Sequence, residues 1–235
     1  ERLDEYVYAT SHDLTSSLIS VLGFLGHTRR ALEEGSIETA LSSIEPVERA
    51  GKRISEMIEG LRTISRASGS RHTPERLDLS TLAEQVWGAT ASALRIDGVA
   101  FEVEGKAPEV MMERRLMVSL LEALFANALL HGRADASPAV RFGFEERDDA
   151  GVFSVSDNGK GIPPQQRDRV FGLFVQLCRT PGTGVGVGLP LARRIVERHA
   201  GRMWIEDALP HGARVAFTLP ACVGTSARQN ASLAA

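Results

Sequence analysis

Two glycine-rich runs stand in a fixed order between Ser154 and Leu189, and few folds accommodate both. The first, Ser-Val-Ser-Asp-Asn-Gly-Lys-Gly-Ile-Pro, continues a β-prone stretch that includes Val152, Phe153 and Val155, so Asp157 stands where a strand ends in a tight turn. Its carboxylate is expected to face solvent and a ligand at the strand's carboxyl end, and Gly159 and Gly161 admit that ligand close to the backbone. The second run brings Gly182, Gly184, Gly186 and Gly188 directly before Leu189 and Pro190, the start of a predicted helix. The first N–H groups of a helix have no partner within it and form a ready anion site. The runs do not match a P-loop, which needs Gly-Lys-Ser or Gly-Lys-Thr, nor a dinucleotide fingerprint, which needs an acidic residue ending a following strand.

The opening of the chain carries a different constraint. Leu3, Val7, Leu14, Leu18, Val21, Leu22, Leu25 and Leu32 recur at spacings of three, four and seven, which predicts one long amphipathic helix. His12 and Ser16 fall away from that stripe, so His12 is expected to be exposed. Glu33 to Ser36 reads as a short connection, with Gly35 ending one helix and Ser36 capping the next. The second helix carries Ile37, Leu41, Ile44, Val47, Ile54, Ile58 and Leu61 on its apolar side, and Pro46 is expected to bend or interrupt it. Two such helices cannot hide both stripes from water alone, so a hairpin pairing with that of a second chain as a four-helix bundle is the expected solution.

Residues 68–73 form a polar linker. Beyond it the pattern predicts a strand at Arg76 to Leu79, a helix from Ser80, capped by that serine, to about Leu94, and a strand at Val99 to Val103. A helix at Glu113 to Leu130, strands at Ala139 to Glu145 and Gly151 to Ser156, and a hairpin of Met203 to Ile205 with Ala213 to Leu219 follow. Helices and strands interleave without regular βαβ repetition, which favours an α+β class with a sandwich in the second part. From Ala221 onward no packing pattern is visible, and residues 221–235 read as a flexible tail.

The ordered pair Asp-x-Gly-x-Gly and Gly-x-Gly-x-Gly-Leu resembles the nucleotide-binding motifs of histidine kinases and of the ATPases sharing the Bergerat fold. Ser11-His12-Asp13-Leu14-Thr15-Ser16-Ser17-Leu18 resembles the phosphoacceptor box of those kinases, Leu121 to His131 their asparagine box, and Val170-Phe171-Gly172-Leu173-Phe174 their phenylalanine box. Four boxes in family order imply a sensor histidine kinase core: a dimerisation and phosphotransfer hairpin at 1–67 and an ATP-binding domain at 74–220.

The resemblance implies that His12 accepts the γ-phosphoryl group of ATP through a ring nitrogen while Asp13 holds the other ring N–H. It places Ser16, where the family carries Thr or Asn, at the position that orders water for dephosphorylating the response regulator. Asn127 is implied to coordinate Mg²⁺, His131 to reach phosphate, and Asp157 to accept a hydrogen bond from the adenine amino group. Phe171, Phe174, Gly182, Gly184, Gly186, Gly188 and Leu189 belong to the lid and phosphate surround. The phosphoryl group then passes to an aspartate on a response-regulator receiver domain.

Two other readings stay open. Ala123 and Leu130 depart from the asparagine box, as a nucleotide-binding adaptor without transfer would, and a plain ATPase of this fold would need a general base where Ala123 stands. A net charge of -3 with no basic run argues against a nucleic-acid surface. Cys178 and Cys222 make no disulfide framework, which points to the reducing cytoplasm. Glu1 falls inside a helical pattern, so the chain reads as a fragment lacking an upstream sensory domain, and the full-length protein is open to a membrane anchor.

Overall fold

The computed structural model describes the backbone of residues 2–69, 73–131, 138–147, 150–177, 184–219 and 222–223, and the side chains of 14–62, 73–131, 138–147, 151–177 and 184–219. The chain forms two compact units, one of Glu1–Thr63 with Gly172–Val187, the other of Ile64–Phe171 with Gly188–Ala235.

The first unit contains the helix α1 (Arg2–Glu33) and α2 (Ile37–Gly69) as far as Thr63. Their connection closes as the sequence predicts: the N–H groups of Gly35 and Ser36 return to the carbonyls of Leu32 and Ala31, and the Ser36 carbonyl accepts the first bond of α2 from Ala40. The helix runs through Pro46 without interruption. Proline removes one rung of the ladder, worth about 3 kcal/mol in a helix interior, and the apolar repeat on both sides of it outweighs that loss. Small side chains fill the inner positions, with Ala31, Ala40, Ser17 and Ser43 buried, and His27 Nδ1 lies 3.1 Å from Ser43 Oγ across the two helices. The large apolar residues instead face outward: Leu18, Ile19, Leu22, Leu25, Leu32, Ile37, Leu41 and Ile44 are all exposed, Leu22 to 60% and Ile37 to 66%.

The second unit is a mixed α+β layer structure. A five-stranded sheet has the order β2-β4-β5-β7-β6, from β2 (Ala100–Glu104), β4 (Ala139–Arg147), β5 (Ala150–Asp157), β6 (Met203–Asp207) and β7 (Ala213–Thr218). Only the β2 and β4 pair is parallel; the rest are antiparallel. One face is packed by α3 (Leu79–Leu94), α4 (Arg114–His131) and α5 (Gly188–Arg198) around one apolar core. Central strand β5 is fixed by Phe153, fully buried, with ring centroids 6.4 Å from Phe142, 5.0 Å from Phe144 and 5.5 Å from Phe217. Offset aromatic pairs of this kind add about 0.5–1.5 kcal/mol each beyond their buried area.

A small antiparallel sheet of β1 (Glu75–Leu77), β3 (Glu109–Met112) and β8 (Cys222–Val223) completes the unit. Cys222 and Val223 thus pair with β3, although they lie in the segment read as a flexible tail. A two-residue strand has no periodicity to read, and its partner lies more than a hundred positions away.

Helix α3 begins one residue earlier than expected, and its cap is Asp78 rather than Ser80. Asp78 Oδ1 accepts from the N–H groups of Ser80 and Thr81 at 2.9 and 3.2 Å, and its backbone is extended, as a cap requires. The backbone N–H of Thr81 above all holds this carboxyl below its ordinary value; burial opposes it, and the Thr81 hydroxyl and the Ser80 N–H add to the lowering.

Two outcomes are expected. Asp78→Ala should lower stability at neutral pH by about 0.5–2 kcal/mol. Because the folded-state value is depressed, that contribution is complete above pH 3.8 and fades as the pH falls through the lower folded-state value, so urea midpoints of the two proteins should converge there. For the hairpin, the full chain should sediment as a dimer, and the double substitution Leu22→Asp, Leu25→Asp should give a monomer of unchanged helix content. A monomeric parent chain at micromolar concentration would contradict the bundle.

Candidate functional site

Strand alternation carries Phe153, Val155 and Asp157 onto the sheet face that meets the helices, and Asp157 is the last residue of β5. The residue is only 8% exposed, which corrects the expectation of a solvent-facing side chain. The turn before β7 causes the burial. Gly212 has φ of +116° and lies so near the end of β5 that a Cβ on it would stand 1.8 Å from the Asp157 carbonyl oxygen. No other residue fits there. The Asp157 Oδ1 atom accepts from the N–H of Gly159 at 2.8 Å and from that of Ala213 at 3.3 Å. Burial pushes the carboxyl up, and these two N–H groups and the nearby His131 work against it.

Gly159 is required by packing within the protein as much as by any ligand. A Cβ there would meet the His131 carbonyl oxygen at 2.6 Å and Asp157 Oδ1 at 2.7 Å, so the turn can close on the end of α4 only with glycine. Gly161 follows in the same turn beside the Gly212 carbonyl. His131 ends α4, and burial pushes its imidazole down despite the opposing pull of Asp157, with Lys160 adding to the drop. The ring is thus held toward its neutral form.

Along α4 the helical repeat places Ala123, Asn127 and Leu130 on one half-buried flank, beside the core residues Leu120, Leu121, Leu124, Phe125 and Ala128. Glu122 is exposed and off that flank. Gly188, the first residue of α5, rests on it: a Cβ there would lie 3.6 to 4.0 Å from the Ala123 backbone and Cβ, ordinary contact rather than a clash. The amino end of α5 is therefore set one turn of α4 before Asn127. Leu189 and Pro190 are buried in the first turn of α5, where the missing proline N–H is not needed by the helix.

These groups offer a carboxylate oxygen able to accept from an amino group, an amide oxygen suited to a hard cation, and a helix amino end that favours negative charge. Among the described residues no cluster of three His, Cys, Asp or Glu could hold a metal ion. A cation here would rest on the Asn127 amide and on oxygens of a bound phosphate ligand.

Phe171 is buried in the core of the same unit. Phe174, Gly184 and Gly186 belong to the other unit. There the Phe174 N–H donates to the Gly186 carbonyl at 2.9 Å, with Phe174 itself left-handed at φ of +61°. Gly182 lies outside the described residues. His12 and Asp13 are on α1, and their side chains lie outside the described residues; Ser16, one turn on from His12, is exposed. Asn127, His131, Asp157, Gly159, Gly161, Gly188 and Leu189 therefore share one unit, and His12, Asp13 and Ser16 the other. The sequence reading missed Gly212 and Ala213, which hold Asp157 from 55 and 56 positions away. A glycine opening a predicted strand was the only local signal.

Residues 112–222 match the family model of histidine kinase-, DNA gyrase B-, and HSP90-like ATPases. The methanogenesis regulatory histidine kinase FilI of Methanothrix harundinacea is 30% identical over 218 residues, covering 93% of this chain and 24% of FilI. The sensor protein FixL of Bradyrhizobium diazoefficiens is 31% identical over 229 residues, covering 93% of this chain and 44% of FixL. The chain thus spans from about a quarter to under half of the length of these relatives. Among solved structures, histidine kinase ThkA in complex with the response regulator protein TrrA aligns over 94% of this chain and 63% of that one, with a TM-score of 0.65 at 20% identity. Acinetobacter baumannii histidine kinase AdeS aligns over 88% of this chain and 96% of its own, with a TM-score of 0.60 at 20% identity. At that identity the structures speak for the fold alone, but they agree with the sequence relatives and the matched domain: residues 112–222 belong to that ATPase family, and the chain has the core of a sensor histidine kinase, a helical region followed by a catalytic ATP-binding domain.

Proposed function

We propose that this chain transfers the γ-phosphoryl group of ATP to His12 and passes it on to an aspartate of a response-regulator receiver domain. The observation that carries the reading is Asp157, a carboxylate kept in a buried site with one oxygen clamped by the N–H groups of Gly159 and Ala213. Burying a carboxylate is unfavourable unless it is satisfied, and such an arrangement serves an amino-bearing ligand better than it serves the fold. Adenine is the ligand we assign to it. The phosphates extend toward the Asn127 flank and the amino end of α5, which Gly188 and Leu189 open.

The residues fit a magnesium ion bound through Asn127 and phosphate oxygens, and when bound it neutralises charge on the transferring group. A ring nitrogen of His12 forms a bond to the γ-phosphorus as the bond to the bridging oxygen breaks and ADP leaves. Asp13 takes the hydrogen bond of the other ring nitrogen and steadies the positive charge on the ring. To Ser16, exposed and one turn on from His12, we assign the ordering of water for dephosphorylating the regulator. Positioning and electrostatics account for most of such a transfer.

The outward apolar stripe of the hairpin supports a homodimer through residues 1–67 as a four-helix bundle. ThkA, a structural relative, has been solved with a response regulator protein, which supports a receiver domain as partner. No helix among the described residues is long and apolar enough to cross a membrane. We assign this region to the cytoplasm and the signal input to a sensory domain upstream of it.

Two substitutions test the reading. In Asp157→Asn the side-chain oxygen keeps its two backbone N–H donors, while the remaining atom changes from acceptor to donor. ATP affinity should fall by about 1.5–3 kcal/mol, the worth of a charge-assisted hydrogen bond. The ligand-free protein should be no less stable at neutral pH, because a carboxyl whose folded-state value is raised contributes stability only at low pH and loses it as the pH rises through that value. Unchanged affinity by titration calorimetry would sink the adenine assignment. His12→Gln should abolish acid-labile, base-stable label from γ-labelled ATP and leave ATP binding intact; label that persists would put the acceptor elsewhere, and a parent chain that binds ATP but never labels would favour the adaptor reading.

A further inference from the structure

We propose that Arg193 is a positioning residue for phosphate binding, tying the point where the chain leaves for Gly172–Val187 to the helix on which it returns. The proposal rests on the ATP reading above. Phe171 is the last residue before that segment and is buried in the core of the ATP-binding unit. Gly188, the first residue after it, opens α5. Five positions along α5, the Arg193 guanidinium carbon lies 5.0 Å from the centroid of the Phe171 ring. Its Nε donates to Glu197 Oε1 at 2.9 Å, one turn further on. The carboxylate sets the rotation of the guanidinium, and the guanidinium covers the ring face, an attraction that strengthens when partly desolvated, as here, with both charged side chains about one third exposed.

The consequence is selective. Because Pro190 has no N–H, the donors without a helical partner in the first turn of α5 come from Gly188 and Leu189, and their direction follows the axis of a helix of only eleven residues. Leu189, Pro190, Leu191 and Ala192 seat that end of the helix on the apolar core, a packing that carries no directional polar contact. The Arg193 and Phe171 contact adds a directional restraint on how α5 lies beside the end of the preceding chain at Phe171. Asp157 is held separately, by Gly159 and Ala213. Loss of Arg193 should therefore disturb the phosphate end of the site and spare the adenine end.

The test is competition binding of ATP and of adenosine to the full chain, to Arg193→Ala, to Arg193→Lys and to Phe171→Leu with and without Arg193→Ala, with thermal unfolding of each. Arg193→Ala should weaken ATP about five- to tenfold, the equivalent of one partly buried cation–π contact, and leave adenosine within about twofold. Lysine, which keeps the charge without the planar fork, should fall between, and Arg193→Ala should add little once Phe171 is leucine. If Arg193→Ala does not fold, Arg193→Lys carries the comparison, with ATP weakened more than adenosine. Equal weakening of both ligands, or no change in ATP, overturns the positioning role while leaving the ATP site standing. A parent chain that binds neither ligand would instead remove the reading on which the role depends.

Discussion

One carboxylate oxygen joins three separately built pieces of the ATP-binding unit. Asp157 Oδ1 ends strand β5, takes the N–H of Gly159 from the glycine turn, and takes the N–H of Ala213 from the start of β7. Remove that acceptor and two buried donors lose their partner at once, each left unpaired at a cost of about 1–3 kcal/mol. The neighbouring backbones are drawn so close that Gly159 and Gly212 leave no room for a Cβ. The site is therefore defined by backbone approach, with side chains fitted around it, and burial makes the charged form of Asp157 less favourable in the ligand-free protein.

What keeps that oxygen in place is the sheet behind it. Phe153 precedes Asp157 by four residues on the same face and packs against rings from both flanking strands, so the end of β5 cannot shift along its axis without breaking three aromatic contacts. A second group, Trp87 stacked 4.6 Å from Phe101 and both set edge-on to Phe125, fixes α3 and β2 against α4 two residues before Asn127. Two aromatic clusters thus serve as the rigid seats of the two polar groups assigned to nucleotide and cation.

The strands and helices were legible where their pattern was long. Helix α4 and the strands ending at Asp157 announced themselves through period, and the glycine runs located the turn and the helix start. Short or distant partnerships were not: Asp78 outcompetes Ser80 as a cap because its carboxylate reaches two N–H groups at once, and both lie within two positions of each other in a stretch where either fits. Gly212 and Ala213 looked like an ordinary strand start because their role depends on a register across β5 and β7 that no local sequence records. The burial of Asp157 follows from the same pairing. Pro46 does not interrupt α2, because the length of apolar repeat on either side outweighs its local penalty.

Ala123 is where sequence and structure together bear on chemistry. As a departure from the asparagine box it counted in favour of an inactive relative. In the structure it is the residue on which Gly188 rests, so the surface of α4 beside the start of α5 is a methyl group and backbone, and the nearest acid along the helix, Glu122, is exposed and off that flank. A general base for water attack must reach within hydrogen-bond distance of the water, and among the described residues no carboxylate of α4 stands on this flank to do so. On the reading proposed above, a phosphate held here meets no base for water attack from that side of α4, which suits transfer to the proposed acceptor, His12. The alanine then favours transfer over hydrolysis, and the helix contact it permits is the one that Arg193 helps to orient.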